Sequence, residues 1–220
     1  MTCALLLLTG CFIALGIWQV ERRAWKHDLI AAVDARAHAA PVAAPGPAAW
    51  PAISRNRDAY RRVTVEGHFL AHRQTLVRAV SDLGSGYWVL APLDTGRFTV
   101  LVNRGFILPA QKGRTPEPQG PIRITGLLRI TEPGGGFLRT NDPAADNWYS
   151  RDVPAIAGKR QLGTVAPYFI DADASLNGSG QPVGGLTVVS FSDNHMVYAL
   201  TWFGMAALCL WGLWRLRSSA

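Results

Sequence analysis

Two long apolar runs bracket this chain, and between them the hydrophobic pattern changes period. Thr2 to Val20 carries no charged residue, and Met196 to Trp214 carries no ionisable group except the Cys209 thiol. At about 1.5 Å of rise per helical residue, about 20 residues reach across a ~30 Å hydrocarbon layer. Residues 1–20 and 194–214 are therefore expected to be transmembrane helices. Trp25, Leu29 and Val33 recur every four residues, which predicts an amphipathic helical extension over 21–39. Residues 40–51, rich in Ala and Pro, read as a linker.

From residue 52 to 193 the signal is that of strands. Short β-branched or aromatic stretches fall at Arg62–Leu70, Gln74–Val80, Tyr87–Leu93, Phe98–Leu108, Ile122–Ile130, Tyr168–Ile170 and Leu186–Phe191. Asp94-Thr95-Gly96 and Gly134-Gly135-Gly136 mark turns between them. The expected class is an α+β membrane protein. Its two transmembrane helices flank an antiparallel β-rich extracytoplasmic domain, either a sheet or a small open barrel. Residues 215–220 form a short tail.

Composition narrows the partners. Apolar residues make 49% of the chain and charged residues 17%. The middle segment, Glu21 to Asp193, holds all 15 acidic residues and 20 of the 22 Lys and Arg, a net charge of +5. That mild excess suits lipid headgroups of the nearby bilayer; no basic stripe interleaved with aromatics points to nucleic acid. All three cysteines lie in the apolar runs, so no disulfide and no Cys-based zinc or redox motif is expected in the domain.

The first run reads as a retained anchor, because no Lys or Arg precedes it and the small-residue stretch near Ala37 comes too late for signal cleavage. Arg215 and Arg217, against no Lys or Arg between Gln161 and His195, put both termini inside and the domain outside. Arg22, Arg23 and Lys26 argue the reverse for the first span. A long domain translocates largely regardless of its charge, so the second span carries more weight.

The domain shows no catalytic constellation: no phosphate-binding glycine loop, no serine elbow and no Cys-His pair. His68 and His72, on one strand, would lie roughly 13 Å apart, too far for one ion. Asp171 and Asp173 read as solvated turn acids. Asn177-Gly178-Ser179 matches a glycosylation acceptor by composition alone. The membrane edge differs. His195 opens the second apolar run, and a helix starting there places Tyr198, Ala199, Trp202 and Met205 or Ala206 on its own face. With Arg22, Arg23 and Lys26 at the exit of the first span, this supplies an axial nitrogen, apolar walls and cations, the set a haem requires. The same residues also suit an interfacial aromatic belt, snorkelling cations and close helix packing around Gly10 and Ala14, so the two readings stay open here.

Several stretches, in order, resemble the Surfeit locus protein 1 family. They are Leu15-Gly16-Ile17-Trp18-Gln19-Val20-Glu21-Arg22-Arg23-Ala24-Trp25-Lys26, Tyr60-Arg61-Arg62-Val63 and Gly67-His68-Phe69, then Gly86-Tyr87-Trp88 to Leu93 and Val100 to Phe106. Asn147-Trp148-Tyr149, Pro167 to Asp171 and Asn194-His195-Met196 to Trp202 complete the set. Phe106 stands where many relatives have Trp. The resemblance implies a cytochrome c oxidase assembly factor rather than an enzyme, one that binds haem a and helps deliver or insert it into the oxidase catalytic subunit. It further implies His195 as ligand to the haem iron, with Tyr198 and Trp202 lining the macrocycle and Arg22, Arg23 or Lys26 pairing with propionates. The implied partners are the oxidase catalytic subunit, the lipid bilayer and, as a further candidate, haem a synthase. The resemblance implies a domain in the periplasm or intermembrane space, and the Ala-, Gly- and Arg-rich composition favours a bacterial inner membrane over the mitochondrial one. A haem-independent scaffold for the catalytic subunit is the alternative. Asn103-Arg104-Gly105 is a candidate docking segment on the domain, or a strand-end turn with a solvated charge.

Overall fold

The computed structural model describes residues 2–136, 138–177, 182–186 and 194–218. The chain divides into two compact units, residues 1–34 with 189–220, and residues 35–188. The first unit is an antiparallel helix pair, built from α1 (Thr2–His38, which runs on into the second unit) and α4 (His195–Ser218). Both are long and apolar enough to cross a membrane. Within α1 the pattern differs from the expected extension: Trp25 and Leu29 are exposed, whereas Lys26, Ile30 and Val33 are the covered positions.

The second unit is β-rich. In chain order it contains β1 (Val42–Ala43), a 3-10 helix (Pro47–Ala52), α2 (Arg55–Asp58), β2 (Arg62–Phe69), β3 (Thr75–Ser81), β4 (Gly84–Asp94) and β5 (Thr99–Ile107). After a 3-10 turn at Pro109–Gln111 come β6 (Ile122–Ile130), the small hairpin β7 (Gly135–Gly136) and β8 (Arg139–Thr140), α3 (Val153–Lys159) and β9 (Val165–Ala172). The strands run in the order β1-β2-β6-β9-β5-β4-β3, and a further pairing of β2 with β4 at His68–Asp94 and Phe69–Leu93 closes the ring. The result is a five-stranded barrel (β2, β6, β9, β5, β4) with β3 and β1 as appended edges.

The β-rich architecture between two helices is as expected, and six of the strands fall where the pattern puts them. Two details refine the expected antiparallel sheet or small open barrel. The barrel closes, and β9 runs parallel to β5 while pairing antiparallel with β6. The cause is the excursion from Thr131 to Thr164, which carries the chain back so that β9 enters between β6 and β5. The predicted strand at Leu186–Phe191 lies, from residue 187 on, outside the described residues.

Alternation sorts the strand residues into two cores. Val63, Val100, Val102, Ile124, Tyr168 and Ile170 fill the barrel interior. On the other face, Val77, Leu90, Leu101 and Phe169 are covered by Trp148 and by Val153 and Ile156 of α3. Every residue of β5 is consequently buried. Asp152 caps α3 by accepting from the Ala155 N–H, and Pro154 supports its first turn.

The Ala/Pro stretch at 40–51 is not a bare spacer. Ala44, Trp50 and Ile53 pack against the barrel core, Trp50 meets Phe98 edge-on at 5.5 Å, and the Pro45 carbonyl accepts from both Trp50 Nε1 (3.0 Å) and Tyr168 Oη (2.7 Å). Burial pushes the Tyr168 phenol well above its ordinary range. The Gly134-Gly135-Gly136 turn is likewise more ordered than expected, since Gly135 and Gly136 pair with Thr140 and Arg139 as a hairpin.

Candidate functional site

The helix pair meets along a seam read directly from its covered positions. They include Leu5, Thr9, Phe12, Gly16 and Gln19 on α1, and His195, Ala199, Trp202, Ala206 and Cys209 on α4. Spacings of four and three alternate on both helices, the heptad pattern of a left-handed pair. Small residues let the backbones approach. A methyl group added at Gly16 would fall 2.4 Å from the Phe203 ring, so a larger residue there would make that ring shift. Phe12 and Trp202 stack at 5.7 Å with planes 21° apart. At one end the seam turns polar: Gln19 Oε1 and His195 Nδ1 lie 2.8 Å apart. Among apolar neighbours these two groups satisfy one another, and the bond orients the imidazole.

This geometry sorts the site residues proposed from sequence. His195 and Trp202 share the seam with Ala199. Tyr198 does not; it is 56% exposed and points off the seam. On the first helix, Arg22 lies over the Trp25 ring at 4.2 Å. Arg23 and Lys26, more covered than Arg22, follow one and two turns beyond Gln19, and both make further contacts. Gln19, the partner of His195, is the site residue that sequence reasoning missed. Its signal was a lone amide inside an apolar run, next to Trp18.

In the domain, two readings are corrected. Asp171 is no turn acid. It lies in β9, 3% exposed, and accepts from Asn103 Nδ2 (2.8 Å), Arg129 Nη1 (2.6 Å) and Arg151 Nη1 (3.3 Å). Glu132 takes the other side of Arg151 at 2.6 Å. Burial works against the Arg151 charge, but the carboxylates of Asp171 and Glu132 outweigh it and raise its pKa. Asp173, two residues on, caps the short 3-10 helix that follows β9 by accepting from the Ser175 N–H.

Nor is Asn103-Arg104-Gly105 a solvated turn. Arg104 is 1% exposed, donates from Nη2 to the Pro116 carbonyl at 2.7 Å, and lies over Phe69. Desolvation lowers its pKa, against the opposing pull of Glu117. The register of β5 against β4 slips here, and Gly105 takes φ +133° where a Cβ would sit 2.3 Å from the Val183 carbonyl oxygen. That motif builds a bulge in the barrel wall and offers no docking surface. Phe106 follows, buried and edge-on to Trp88 at 5.4 Å. His72 sits in a turn at φ +59°, off the strand carrying His68. Among the described residues no cluster of three or more His, Cys, Asp or Glu is arranged to hold a metal ion.

A heptad-packed pair of membrane helices with one polar clasp, joined in sequence through a closed mixed barrel, defines a two-helix membrane protein with a β-barrel domain. Comparison with known proteins carries this further. The SURF1 family profile matches residues 6–207. Surfeit locus protein 1 of Mus musculus is 37% identical over 92% of this chain and 71% of its own length, and that of Homo sapiens is 35% identical over 92% and 73%. A SURF1-like protein of Monosiga brevicollis is 33% identical over 94% of the chain and 84% of its own. The chain belongs to the SURF1 family.

Proposed function

We propose that this protein is a cytochrome c oxidase assembly factor that binds haem a at the polar end of its helix pair and helps deliver or insert it into the oxidase catalytic subunit. The observation that carries the reading is the Gln19–His195 clasp. It engages Nδ1, so in this reading Nε2 would be the ring nitrogen that meets iron. Trp202 supplies an apolar wall beside it, and Tyr198, exposed on the adjoining face, would extend that wall on the lipid side. Arg22, Arg23 and Lys26 lie within about 5–11 Å of Gln19 along the helix axis at 1.5 Å per residue, and in this reading they would pair with propionates. The hydrocarbon tail of haem a would partition into lipid, gaining ~0.8 kcal/mol per buried CH₂. A single axial histidine suits a carrier that must release its cargo.

In this reading both helices span a bacterial inner membrane, the termini are cytoplasmic and the barrel is periplasmic. Its partners are the catalytic subunit, the surrounding lipid and, as a donor of cargo, haem a synthase.

The packed seam favours a second reading. The Phe12–Trp202 stack and the Phe203–Gly16 contact fill the space between the helices, so the pair is also suited to act as a haem-independent scaffold that steadies the catalytic subunit.

Optical spectra of the purified protein from cells making haem a separate the two. The carrier reading expects Soret and α bands of an a-type haem in wild type, lost in His195→Ala and shifted in Gln19→Leu. Colourless wild-type protein that still restores oxidase assembly would refute it and leave the scaffold.

A further inference from the structure

The outer wall of the domain carries a groove that the haem reading does not use. It has a volume of about 560 Å³ and lies over the β3–β4 hairpin, with the β7–β8 hairpin and Tyr149 as its far wall. Arg78 and Arg139 interleave there with the Tyr87 and Tyr149 rings, and Lys112 of the adjoining recess reaches Tyr87 from the side. Arg78 lies 5.9 Å from the Tyr87 ring and 5.8 Å from that of Tyr149, Arg139 lies 5.4 Å from Tyr149, and Lys112 lies 5.7 Å from Tyr87. Among the described residues no carboxylate pairs with these three cations. Asp146, in the adjoining recess, is already held by Arg160 at 2.7 Å. The groove is therefore an uncompensated positive site with flat apolar shelves.

The backbone beside it is equally unfinished. β3 is an edge strand, and among the described residues its outer side is bridged where Asn147–Tyr149 lies along it. There Val77 bridges Trp148 in parallel, and the Arg78 N–H donates to the Trp148 carbonyl at 2.9 Å. Since the Arg78 N–H points outward, the alternation of a strand turns the N–H and C=O of Val80 outward as well. The Val80 side chain is 79% exposed, and Leu138 across the groove is 88% exposed. The chain thus begins a strand addition at Val77–Arg78 and stops before Val80. Natural edges of this kind are usually blunted by charge or covered.

We infer that this edge and groove form a docking site for an extended acidic segment of a partner protein. Such a segment would add to β3 at Val80 through main-chain hydrogen bonds, and every second side chain would then face Arg78, Arg139 and Lys112. Main-chain pairing supplies affinity in this mode and alternate side chains supply specificity. Two carboxylates placed two residues apart fit the cations, and Tyr87 and Tyr149 take the stems between them. An anionic bilayer would satisfy the same charges but has no use for the open N–H of Val80, and this favours a polypeptide.

The test uses the full-length protein in neutral detergent and the probe acetyl-Glu-Val-Glu-Val-Glu-Val-amide, carrying a fluorophore for anisotropy. Binding should weaken with added salt and fall at least about tenfold in Arg78→Ala/Arg139→Ala. Arg139→Glu alone, whose side chain's described contact is with the Tyr149 ring, guards against a folding defect and should also weaken it. Hydrogen exchange should show the Val80 amide protected by the probe. A Lys-for-Glu version of the peptide should not bind. No binding of the acidic peptide, binding indifferent to both sets of variants, or an unprotected Val80 amide would each overturn the inference. So would tighter competition from phosphatidylglycerol vesicles than from the peptide, which would assign the groove to the membrane. The haem spectra are independent of every one of these outcomes.

Discussion

Replacing Asp171 with Asn removes one negative charge from a buried cluster without changing its shape. In the native domain two guanidiniums face two carboxylates. The Arg129 and Arg151 side chains are 17% and 14% exposed, Asp171 is 2% and Glu132 is 32%. After the change both cations must share Glu132, which lies 2.6 Å from Arg151 but 3.9 Å from Arg129. Removing one member of a buried ion pair costs about 3–5 kcal/mol, because the partner is left desolvated and uncompensated. The remaining carboxylate, and the ring faces of Tyr60 and Phe169 at 4.6 and 4.8 Å from the two arginines, hold the cost near the lower end, about 3 kcal/mol. At about 2–4 °C per kcal/mol for a protein of this size, the melting midpoint should fall by about 6–12 °C. Circular dichroism of the full-length protein in detergent, heated at constant pH, reads this directly. Asp173→Asn is the control, since it disturbs only the cap of a short 3-10 helix and should cost at most about 1 kcal/mol. Equal losses in the two variants, or a fall below about 2 °C for Asp171→Asn, would refute the idea that these charges are buried and mutually dependent.

Three further outcomes follow from the domain. Gly105→Ala should abolish accumulation of folded protein, because φ +133° is closed to alanine and its Cβ would meet the Val183 carbonyl; limited proteolysis of membranes checks this. Trp50→Ala removes the ring that seals one end of the barrel core and should cost about 3 kcal/mol in chemical denaturation, whereas a free linker would show almost no change. Burial alone would raise the pKa of Asp146, but hydrogen bonds from Arg160 and Trp148 and the charges of Arg160 and Lys159 lower it on balance. A lowered carboxylate stabilises the fold above its unfolded pKa of about 3.9 and loses that contribution as pH falls through its native value. The stability gap between wild type and Asp146→Asn should therefore be constant near neutrality and narrow below about pH 4.

Much of this architecture was legible because its signals are local. The two spans announce themselves by length and apolarity, and the strands by β-branched runs between turn residues such as Asp94-Thr95-Gly96. What escaped depends on partners distant in sequence. Asp171 looks like loop chemistry beside Ala172 and Asp173, and only the fold brings Arg129 and Arg151 to it. The parallel placement of β9 follows from the return path of the excursion before it, and α3 is too short for a helical period to show. At the membrane site, His195 and Trp202 were visible as members of one helix face. That Gln19 clasps the imidazole, and that Tyr198 leaves the seam, required the second helix. The Arg104 motif misled because a charged residue before glycine ordinarily means a surface turn, whereas here the glycine makes a bulge and the arginine is buried.

The insertion of β9 between β6 and β5 sets an order of events during synthesis. β6 ends at Ile130, and the strand that joins it to β5 begins at Val165. At about 5–20 residues per second, about 2–7 s separate the emergence of these two elements. For that interval β5 and β6 each present an unpaired edge, the kind of surface that invites aggregation or capture by a chaperone. The ring cannot close around its interior until residue 172 is available, when the stretch leading to α4 and α4 itself are still to be made. A chain cut between Ile130 and Val165 is therefore an open sheet with two adhesive margins rather than a smaller barrel, and such late truncations should be lost to quality control as completely as earlier ones.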